Sequence, residues 1–294
     1  MELDDLRGFL AVARGGTLTG AASSLGLTQS TLSRRIHRLE RALGQPLFER
    51  TGRAMVLTDV GTRFLDRASS VVTTLEEAAR EFNDAPDTGT VRIGAIPTVA
   101  PYLLPRVLSR FARALPAVRV AVQEHTTDAL LNAVRDGGVD IAVLARPFDA
   151  THLEVEHLYN EELMLLVPAS HPLAEHGTVP PRLMHDEPLV LLNSEHCLSD
   201  AVGAFCRDRS VEMVGVERVH QLSTLQELVT LGHGVSLVPA LAAACDTSKR
   251  RVYRSFTRPA PKRGVVAVRN PYRFQQRVAK SLWATLTEHD WLTV

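Results

Sequence analysis

Two cysteines nine positions apart are the residues of this chain best suited to redox chemistry. The pattern around them predicts a helix with Ser199 as a candidate N-cap, which would place Cys197 just before the helix and Cys206 two turns inside it. A helix N-terminus and the neighbouring His196 would both favour a Cys197 thiolate, the form of cysteine that attacks a peroxide oxygen. The chemistry open to such a pair runs from thiolate to sulfenic acid and then to a disulfide.

An intact helix would keep these two cysteines apart. Nine residues of helix span about 13 Å, whereas a disulfide needs Cα atoms about 4.4–6.8 Å apart. Bond formation would therefore force the helix to unwind, which is how a covalent switch acts. The alternative is that both cysteines are ordinary core residues, and their spacing alone leaves both interpretations open. Cys245 follows an alanine-rich helix end and is assigned no role.

The composition is that of a globular protein in a reducing compartment. The 294 residues are 45% hydrophobic and 22% charged, with 33 basic residues against 33 acidic ones. The acidic start lacks the features of a secretory signal, and no apolar run approaches the roughly 18 residues of a membrane span. We therefore expect a cytoplasmic protein with no membrane partner and free thiols. The pattern predicts no metal site and no cofactor, and any contact with nucleic acid must depend on a local basic patch.

Residues 1–58 predict a winged helix-turn-helix that binds double-stranded promoter DNA. Apolar spacing predicts helices over 4–13, 18–25 and 29–43, and residues 46–57 predict a two-stranded wing. Residues 28–53 carry six arginines against two glutamates, and polar residues at a helix start can reach base edges while arginines hold phosphates. A solvated basic face is the alternative, but the helix, turn and wing around it favour DNA binding. The candidate DNA-binding residues are Thr28, Gln29, Ser30, Ser33, Arg34, Arg35, Arg50 and Arg53.

A long amphipathic helix follows the wing. Its apolar residues are Phe64, Ala68, Val71, Leu75, Ala78 and Phe82. The spacing of these residues alternates between four and three, which is the heptad pattern that two helices bury against each other. A helix packed on its own domain is the alternative, but a single winged helix offers little surface for so long a stripe. We therefore predict a homodimer through this helix, which suits a two-fold operator.

From residue 90 onward, short apolar strands alternate with helix-length segments. This order predicts βαβ units around a mostly parallel sheet, arranged as two α/β halves with a ligand cleft between them. We place the DNA-binding domain at 1–58, the linker helix and hinge at 59–89, and the sensing domain at 90–294. Within the sensing domain, lobe I comprises 90–161 and 266–294, and lobe II comprises 162–265.

The N-terminal residues resemble the LysR-type signature. The resemblance is carried by residues 21–40 (AASSLGLTQSTLSRRIHRLE), 43–44 (LG), 47–50 (LFER) and 57–58 (LT). It implies a DNA-binding transcriptional regulator with an α/β fold: a winged helix-turn-helix, a linker helix and a two-lobed periplasmic-binding-protein-like sensing domain. It also implies a tetramer built as a dimer of dimers. Ser30 stands where the family usually has proline, so we expect altered base contacts rather than loss of binding.

A second set of residues resembles the hydrogen-peroxide-sensing OxyR group of that family. It comprises residues 96–105 (IPTVAPYLLP), several positions within 196–206 (HCLSDAVGAFC) and 237–242 (LVPALA). The resemblance implies that Cys197 is the peroxidatic cysteine and Cys206 the resolving one. The residues it places around the peroxide are Thr98, Thr127, His196, Asp200 and Arg263. Glu195 departs from the group, which tends to have glycine there, and its carboxylate would raise the Cys197 pKa.

Two other functions compete with a peroxide-responsive activator. A LysR-type regulator could answer to a small metabolite in the cleft between the lobes, with inert cysteines. The third class is an enzyme, a thiol peroxidase, which would have no use for the N-terminal recognition helix. We therefore expect a regulator and not an enzyme, with hydrogen peroxide or another small effector as its signal.

Overall fold

The computed structural model describes residues 1–51, 54–81, 88–288 and 291. The chain divides into two compact units, Met1–Asn83 with Asp136–Gly138, and Asp84–Arg135 with Val139–Val294. Among the described helices, none combines the length and apolar character that a membrane crossing requires.

The first unit is built from four helices and a hairpin. These are α1 (Leu3–Gly15), α2 (Leu18–Ser24), α3 (Gln29–Leu43), β1 (Phe48–Thr51), β2 (Ala54–Leu57) and α4 (Asp59–Glu81). The antiparallel β1–β2 pair is the predicted wing, and Gly26, at φ +64°, makes the turn before α3. Phe9 is fully buried, with ring centroids 5.2 Å from Phe48 and 5.3 Å from Phe64. The wing, α1 and α4 therefore share one aromatic core.

The apolar stripe of α4 serves two purposes along its length. Ala68 is 1% exposed and, together with Phe64, packs into the core of the first unit. Val71 and Leu75 are 54% and 50% exposed on the same helix. The prediction that the whole stripe faces a partner is therefore wrong for its first half, which α1 already covers. Phe82 lies outside the described residues.

The second unit alternates strands and helices. Its strands are β3 (Gly89–Ala95), β4 (Val118–Glu124), β5 (Ile141–Ala145), β6 (Glu154–Pro168), β7 (Thr178–Val179), β8 (Pro188–Leu192), β9 (Val214–Val219), β10 (Ser236–Pro239), β11 (Arg251–Phe256) and β12 (Lys262–Arg269). Its α-helices are α5 (Ala100–Ala114), α6 (Thr127–Asp136), α7 (Cys197–Asp208), α8 (Leu222–Thr230), α9 (Ala240–Ala244) and α10 (Arg277–Thr287). The alternation confirms the predicted α/β class.

The centre of the large sheet differs from the prediction. Its order is β4-β3-β5-β12-β6-β11-β7, with β10 also paired to β6. The β3–β4 and β3–β5 pairs are parallel, but β12 runs antiparallel to both β5 and β6. The prediction of a mostly parallel sheet is therefore wrong at its centre. The 15-residue β6 leaves one half of the unit and β12 returns to it, so the two strands lie side by side in opposite directions.

Two separate hydrophobic cores lie on this framework. The first core is formed around β3, β5 and β12 with α5, α6 and α10. The second core surrounds the second half of β6, together with β8, β10, α7 and α8. The lobe boundaries at 161/162 and 265/266 stay a prediction.

A polar network in the second unit centres on Asp246. Its carboxylate accepts hydrogen bonds from Arg251 Nε at 2.5 Å, from the Tyr253 hydroxyl and from the Ser248 backbone N–H. Burial opposes the charged form, but these hydrogen bonds outweigh it and lower the pKa of Asp246 to about 2. A carboxyl with a depressed folded-state pKa stabilises the fold above its unfolded pKa, and that contribution disappears as the pH falls through the folded value.

Asp246→Asn is therefore expected to lower the free energy of unfolding at pH 7 by about 2 kcal/mol. The difference from the unsubstituted protein should shrink between about pH 4 and pH 2, where Asp246 itself takes up a proton. Urea unfolding at a series of pH values measures it, with exposed Asp186→Asn as the matched control. A difference that stays constant with pH would contradict the role of the Asp246 charge.

Candidate functional site

Cys197 is the first residue of α7, directly after the N-cap His196. The prediction that Ser199 caps this helix is wrong. The Ser199 hydroxyl donates instead to the backbone carbonyls of Leu192 at 2.5 Å and Asn193 at 3.1 Å. These hydrogen bonds hold the start of α7 against the end of β8. Cys197 is therefore fixed within the first turn rather than in the loop before it.

Cys197 is half-buried and packs against the first hydrophobic core. Burial raises its pKa above the ordinary value, and the charge of Arg263 and the nearby Thr127 hydroxyl offset this only in part. Asp200, which is exposed, adds to the rise in the pKa. Desolvation of the thiol therefore opposes the Cys197 thiolate that the sequence pattern favours.

Arg263 approaches this thiol from β12 and is itself 4% exposed. Its Nη1 donates to Thr98 Oγ1 at 2.8 Å, and its Nη2 donates to the Thr98 carbonyl at 3.1 Å. The opposite side of the guanidinium contacts Glu161, whose Oε1 lies 2.8 Å from Nε and 2.7 Å from Nη2. A buried charge needs such a partner, because breaking a buried ion pair typically costs about 3–5 kcal/mol.

The structure thus brings most of the expected pocket residues together. Thr98 and Arg263 are in direct contact, and Arg263, Thr127 and Asp200 all act on the Cys197 thiol. Thr127 Oγ1 is buried and, within the described residues, has no partner at ordinary hydrogen-bond geometry, so its effect on the thiol is a weak polar one. A buried hydroxyl without a partner can bind a small polar molecule. That these residues bind peroxide stays a prediction.

Cys206 lies at the other end of α7 and in a different environment. It is 1% exposed and belongs to the second core, whereas Cys197 packs against the first. Burial also raises the pKa of the Cys206 thiol, which Arg207 offsets only in part. All three cysteines are free, and Cys245 is exposed. The two ends of one helix therefore anchor the two thiols in separate cores.

The face of α3 presents the other candidate site. The Thr28 hydroxyl accepts a hydrogen bond from Thr31 N–H at 3.2 Å, which confirms the predicted N-cap, and Gln29, Ser30 and Arg34 are exposed. Ser33, also on this helix, is half-buried. Arg35 instead donates to Asp4 of α1 at 2.7 Å. The side chain of Arg50 and the whole of Arg53 lie outside what the structure describes.

Two family matches cover nearly the whole chain. Residues 3–62 match the family described as bacterial regulatory helix-turn-helix protein, lysR family. Residues 84–291 match the LysR substrate binding domain. The chain belongs to the LysR family. Its exposed, polar helix start therefore lies in the helix-turn-helix module of a LysR-type regulator, and its cysteine pocket lies in the substrate-binding module.

Relatives of this LysR-type regulator place it in the OxyR group. A probable hydrogen peroxide-inducible genes activator of Mycobacterium leprae is 36% identical over 264 residues, covering 88% of this chain and 85% of the relative. The DNA-binding transcriptional dual regulator OxyR of Escherichia coli K12 is 31% identical over 298 residues, covering 98% and 97%. A solved full-length OxyR variant from Pseudomonas aeruginosa superposes with a TM-score of 0.80 at 27% identity, covering 97% of this chain and 94% of that one.

Sequence reasoning missed two sets of partners in this LysR-type regulator. Glu161 was not recognised as the partner of Arg263, although a glutamate within a strand opposite an arginine is a signal once the β6–β12 register is known. Asp4 and Asp5 were read only as an acidic start. Asp4 pairs with Arg35 and Asp5 pairs with Arg38. Arg34, near the start of α3, is exposed and has no ion pair within the described residues.

Proposed function

We propose that this LysR-type regulator senses hydrogen peroxide at Cys197 and stores the signal as a Cys197–Cys206 disulfide. The observation that carries the proposal is the position of Cys197, a half-buried thiol that the charge of Arg263 acts on. Beside it lies the buried Thr127 hydroxyl, which has no partner among the residues that the structure describes. The names of the M. leprae and E. coli relatives support the same function. In the proposed site the threonine hydroxyls of Thr98 and Thr127 hydrogen-bond the peroxide.

The chemistry is a two-step oxidation. Cys197 loses its proton, and its sulfur attacks one oxygen of hydrogen peroxide, so that an S–O bond forms as the O–O bond breaks. Arg263 stabilises the thiolate and the leaving hydroxide, which takes up a proton and departs as water. His196 and Asp200 lie beside Cys197 on the same segment, where Asp200 can relay that proton. The Cys206 thiolate then attacks the Cys197 sulfenic sulfur, forming the S–S bond and releasing a second water.

The second step changes the fold. In an intact α7 the two cysteines are separated by about 13 Å along the axis, and a disulfide allows Cα atoms no more than about 6.8 Å apart. Helix α7 must therefore unwind, and Cys206 must leave the second core or Cys197 the first. A change of this size can be passed to the rest of the chain as a two-state switch.

We further propose that the output is binding of promoter DNA through α3 and the wing, in a cytoplasmic regulator that is not an enzyme. The exposed residues at the start of α3 would reach base edges in the major groove. The exposed half of the α4 stripe would form a homodimer and, with further contacts, a homotetramer. The proposed domains span residues 1–58, 59–89 and 90–294. Within the last domain, lobe I comprises 90–161 and 266–294, and lobe II comprises 162–265.

Arg34→Ala is expected to weaken operator binding by about 1–3 kcal/mol, because Arg34 is an exposed arginine near the start of α3 with no ion pair among the described residues. Fluorescence anisotropy with promoter DNA at several salt concentrations measures the loss. Arg110→Ala, which removes an exposed arginine from the other unit, is the control and should bind normally. Equal affinity of the Arg34 variant and the unsubstituted protein at every salt concentration would contradict this placement.

Mass-spectrometric mapping after mild peroxide treatment tests the sensor proposal, together with DNA footprinting of the reduced and treated protein. The expected result is a Cys197–Cys206 link and a changed footprint. No such link at peroxide levels that alter the footprint would overturn the disulfide. Neither a link nor a changed footprint would favour a ligand-driven regulator with inert cysteines.

A further inference from the structure

Glu161 is the most deeply buried acidic side chain beside the proposed peroxide site. It lies on β6 directly opposite Arg263 on β12, and the two side chains are 1% and 2% exposed. Neither residue reaches solvent, so their interaction is not weakened by water or salt as a surface pair would be. The charge that either residue presents to its neighbours therefore depends strongly on the charge of the other.

The Glu161 carboxylate is held from two sides. One oxygen, Oε1, accepts from Arg263 Nε at 2.8 Å and lies 2.7 Å from Nη2, while Oε2 accepts from the backbone N–H of Leu241 at 3.2 Å. Within the described residues, the guanidinium also donates to Thr98 Oγ1 and to the Thr98 carbonyl. The Leu241 backbone N–H holds the Glu161 carboxylate, and the carboxylate in turn holds Nε and Nη2 of Arg263. Glu161 therefore orients the plane of the Arg263 guanidinium as much as Thr98 does.

Glu161 also carries a charge opposite to that of Arg263. The groups that act on Cys197 are Arg263 from β12, Asp200 from α7 and Thr127 from α6. A carboxylate 2.7 Å from the guanidinium reduces the positive potential that Arg263 exerts on the thiol. The same pair acts on Tyr159, two residues earlier on β6, whose pKa burial raises and Glu161 raises further.

We propose that Glu161 is a positioning residue of the peroxide site, which orients Arg263 toward Cys197 and offsets part of its charge there. This inference rests on the proposed function only for its biological meaning, since the effect on the thiol exists in the reduced protein without any peroxide. In the unsubstituted protein, Glu161 thereby weakens the effect of Arg263 that lowers the pKa of Cys197. The residue therefore sets how reactive the resting sensor is.

Glu161→Gln separates the two parts of this role. The amide keeps an oxygen that accepts from Arg263 Nε and nearly the same volume, but it removes the negative charge. The Arg263 charge then acts on Cys197 without offset, so the pKa of the thiol falls. Alkylation of Cys197 at pH 7 is expected to be on the order of threefold to tenfold faster, with its pH midpoint moved to lower pH.

The test uses the full-length reduced protein with Cys206→Ser and Cys245→Ser, so that iodoacetamide reacts at Cys197 alone. The rate of alkylation is followed from pH 6 to pH 10. Glu162→Gln is the matched control, because the next residue on a strand points to the opposite face. It removes one carboxylate without touching the Arg263 pair and should leave the profile unchanged. An unchanged or raised midpoint in folded Glu161→Gln would overturn the proposal.

A second variant keeps the proposal testable if burying an unpaired Arg263 unfolds the protein, which circular dichroism would reveal. Glu161→Gln combined with Arg263→Gln replaces the ion pair with two amides. With the cation gone, the alkylation midpoint should move above that of the unsubstituted pair. A midpoint identical to that of the unsubstituted pair would contradict the proposal that Glu161 offsets only part of the Arg263 charge. Neither outcome depends on whether peroxide is the natural signal, which the Cys197–Cys206 mapping decides separately.

Discussion

Cys197→Ser is expected to abolish the response to hydrogen peroxide while leaving DNA binding by the reduced protein intact. Serine is close to cysteine in size, so the first turn of α7 and its packing against the first core are retained. Its hydroxyl is not ionised near pH 7 and cannot form a sulfenic acid, so neither oxidation step can begin. Footprinting with and without peroxide, and transcription from a bound promoter, measure the response.

The other two cysteines provide the comparison. Cys245→Ser removes an exposed thiol outside the pocket and should respond normally. Cys206→Ser should stop the reaction at the sulfenic acid. It should therefore impair the response to a smaller and more variable extent than Cys197→Ser, which abolishes it. A fully responsive Cys197→Ser protein would refute the assignment of the sensor.

Leu75→Glu is expected to convert the dimer to a monomer and to reduce operator affinity by about 100-fold or more. Leu75 and Val71 are half-exposed on α4. They line an apolar groove of about 570 Å³ between the start of α1 and the second half of α4. A charge placed there would have to be desolvated when a second copy covers the groove. Because the two recognition helices of a dimer bind one operator together, loss of the dimer removes this joint binding.

Sedimentation velocity measures the oligomeric state, and anisotropy with operator DNA measures the affinity. Thr62→Glu, which lies about half a helical turn away from Val71 around the axis, adds the same charge on the opposite face of α4. It should leave the protein dimeric. A Leu75→Glu protein that sediments like the unsubstituted one would show that this groove is not the dimer interface.

The first unit was predictable because its signals are local. Thr28 as N-cap, the apolar face through Leu32 and Ile36, and Gly44 in a left-handed conformation fix α3 at Gln29–Leu43, the predicted bounds. Each of these signals acts within a few residues of where it is read. The extent of burial along α4 was not predictable in this way, because it depends on where α1 ends in space.

The second unit shows what local signals cannot supply. The apolar run within β6 predicted a strand, but the mixed polar and apolar residues 154–162 before it gave no sign that the strand begins at Glu154. The antiparallel β6–β12 pair joins residues about a hundred positions apart, and Glu161 meets Arg263 only through that register. The residues of the pocket could be named from the resemblance. Their burial, which raises the pKa of Cys197, follows from packing that no short motif encodes.

The placement of Cys206 in the second core delays disulfide formation in the proposed sensor. The sulfenic acid at Cys197 cannot be captured faster than α7 opens, because the helix holds the two sulfurs apart until then. A brief exposure to oxidant would leave a sulfenic acid that cellular thiols can reduce before the helix yields. Only an exposure that outlasts this delay would be recorded as a disulfide, so the stability of one twelve-residue helix sets the shortest pulse that the regulator registers.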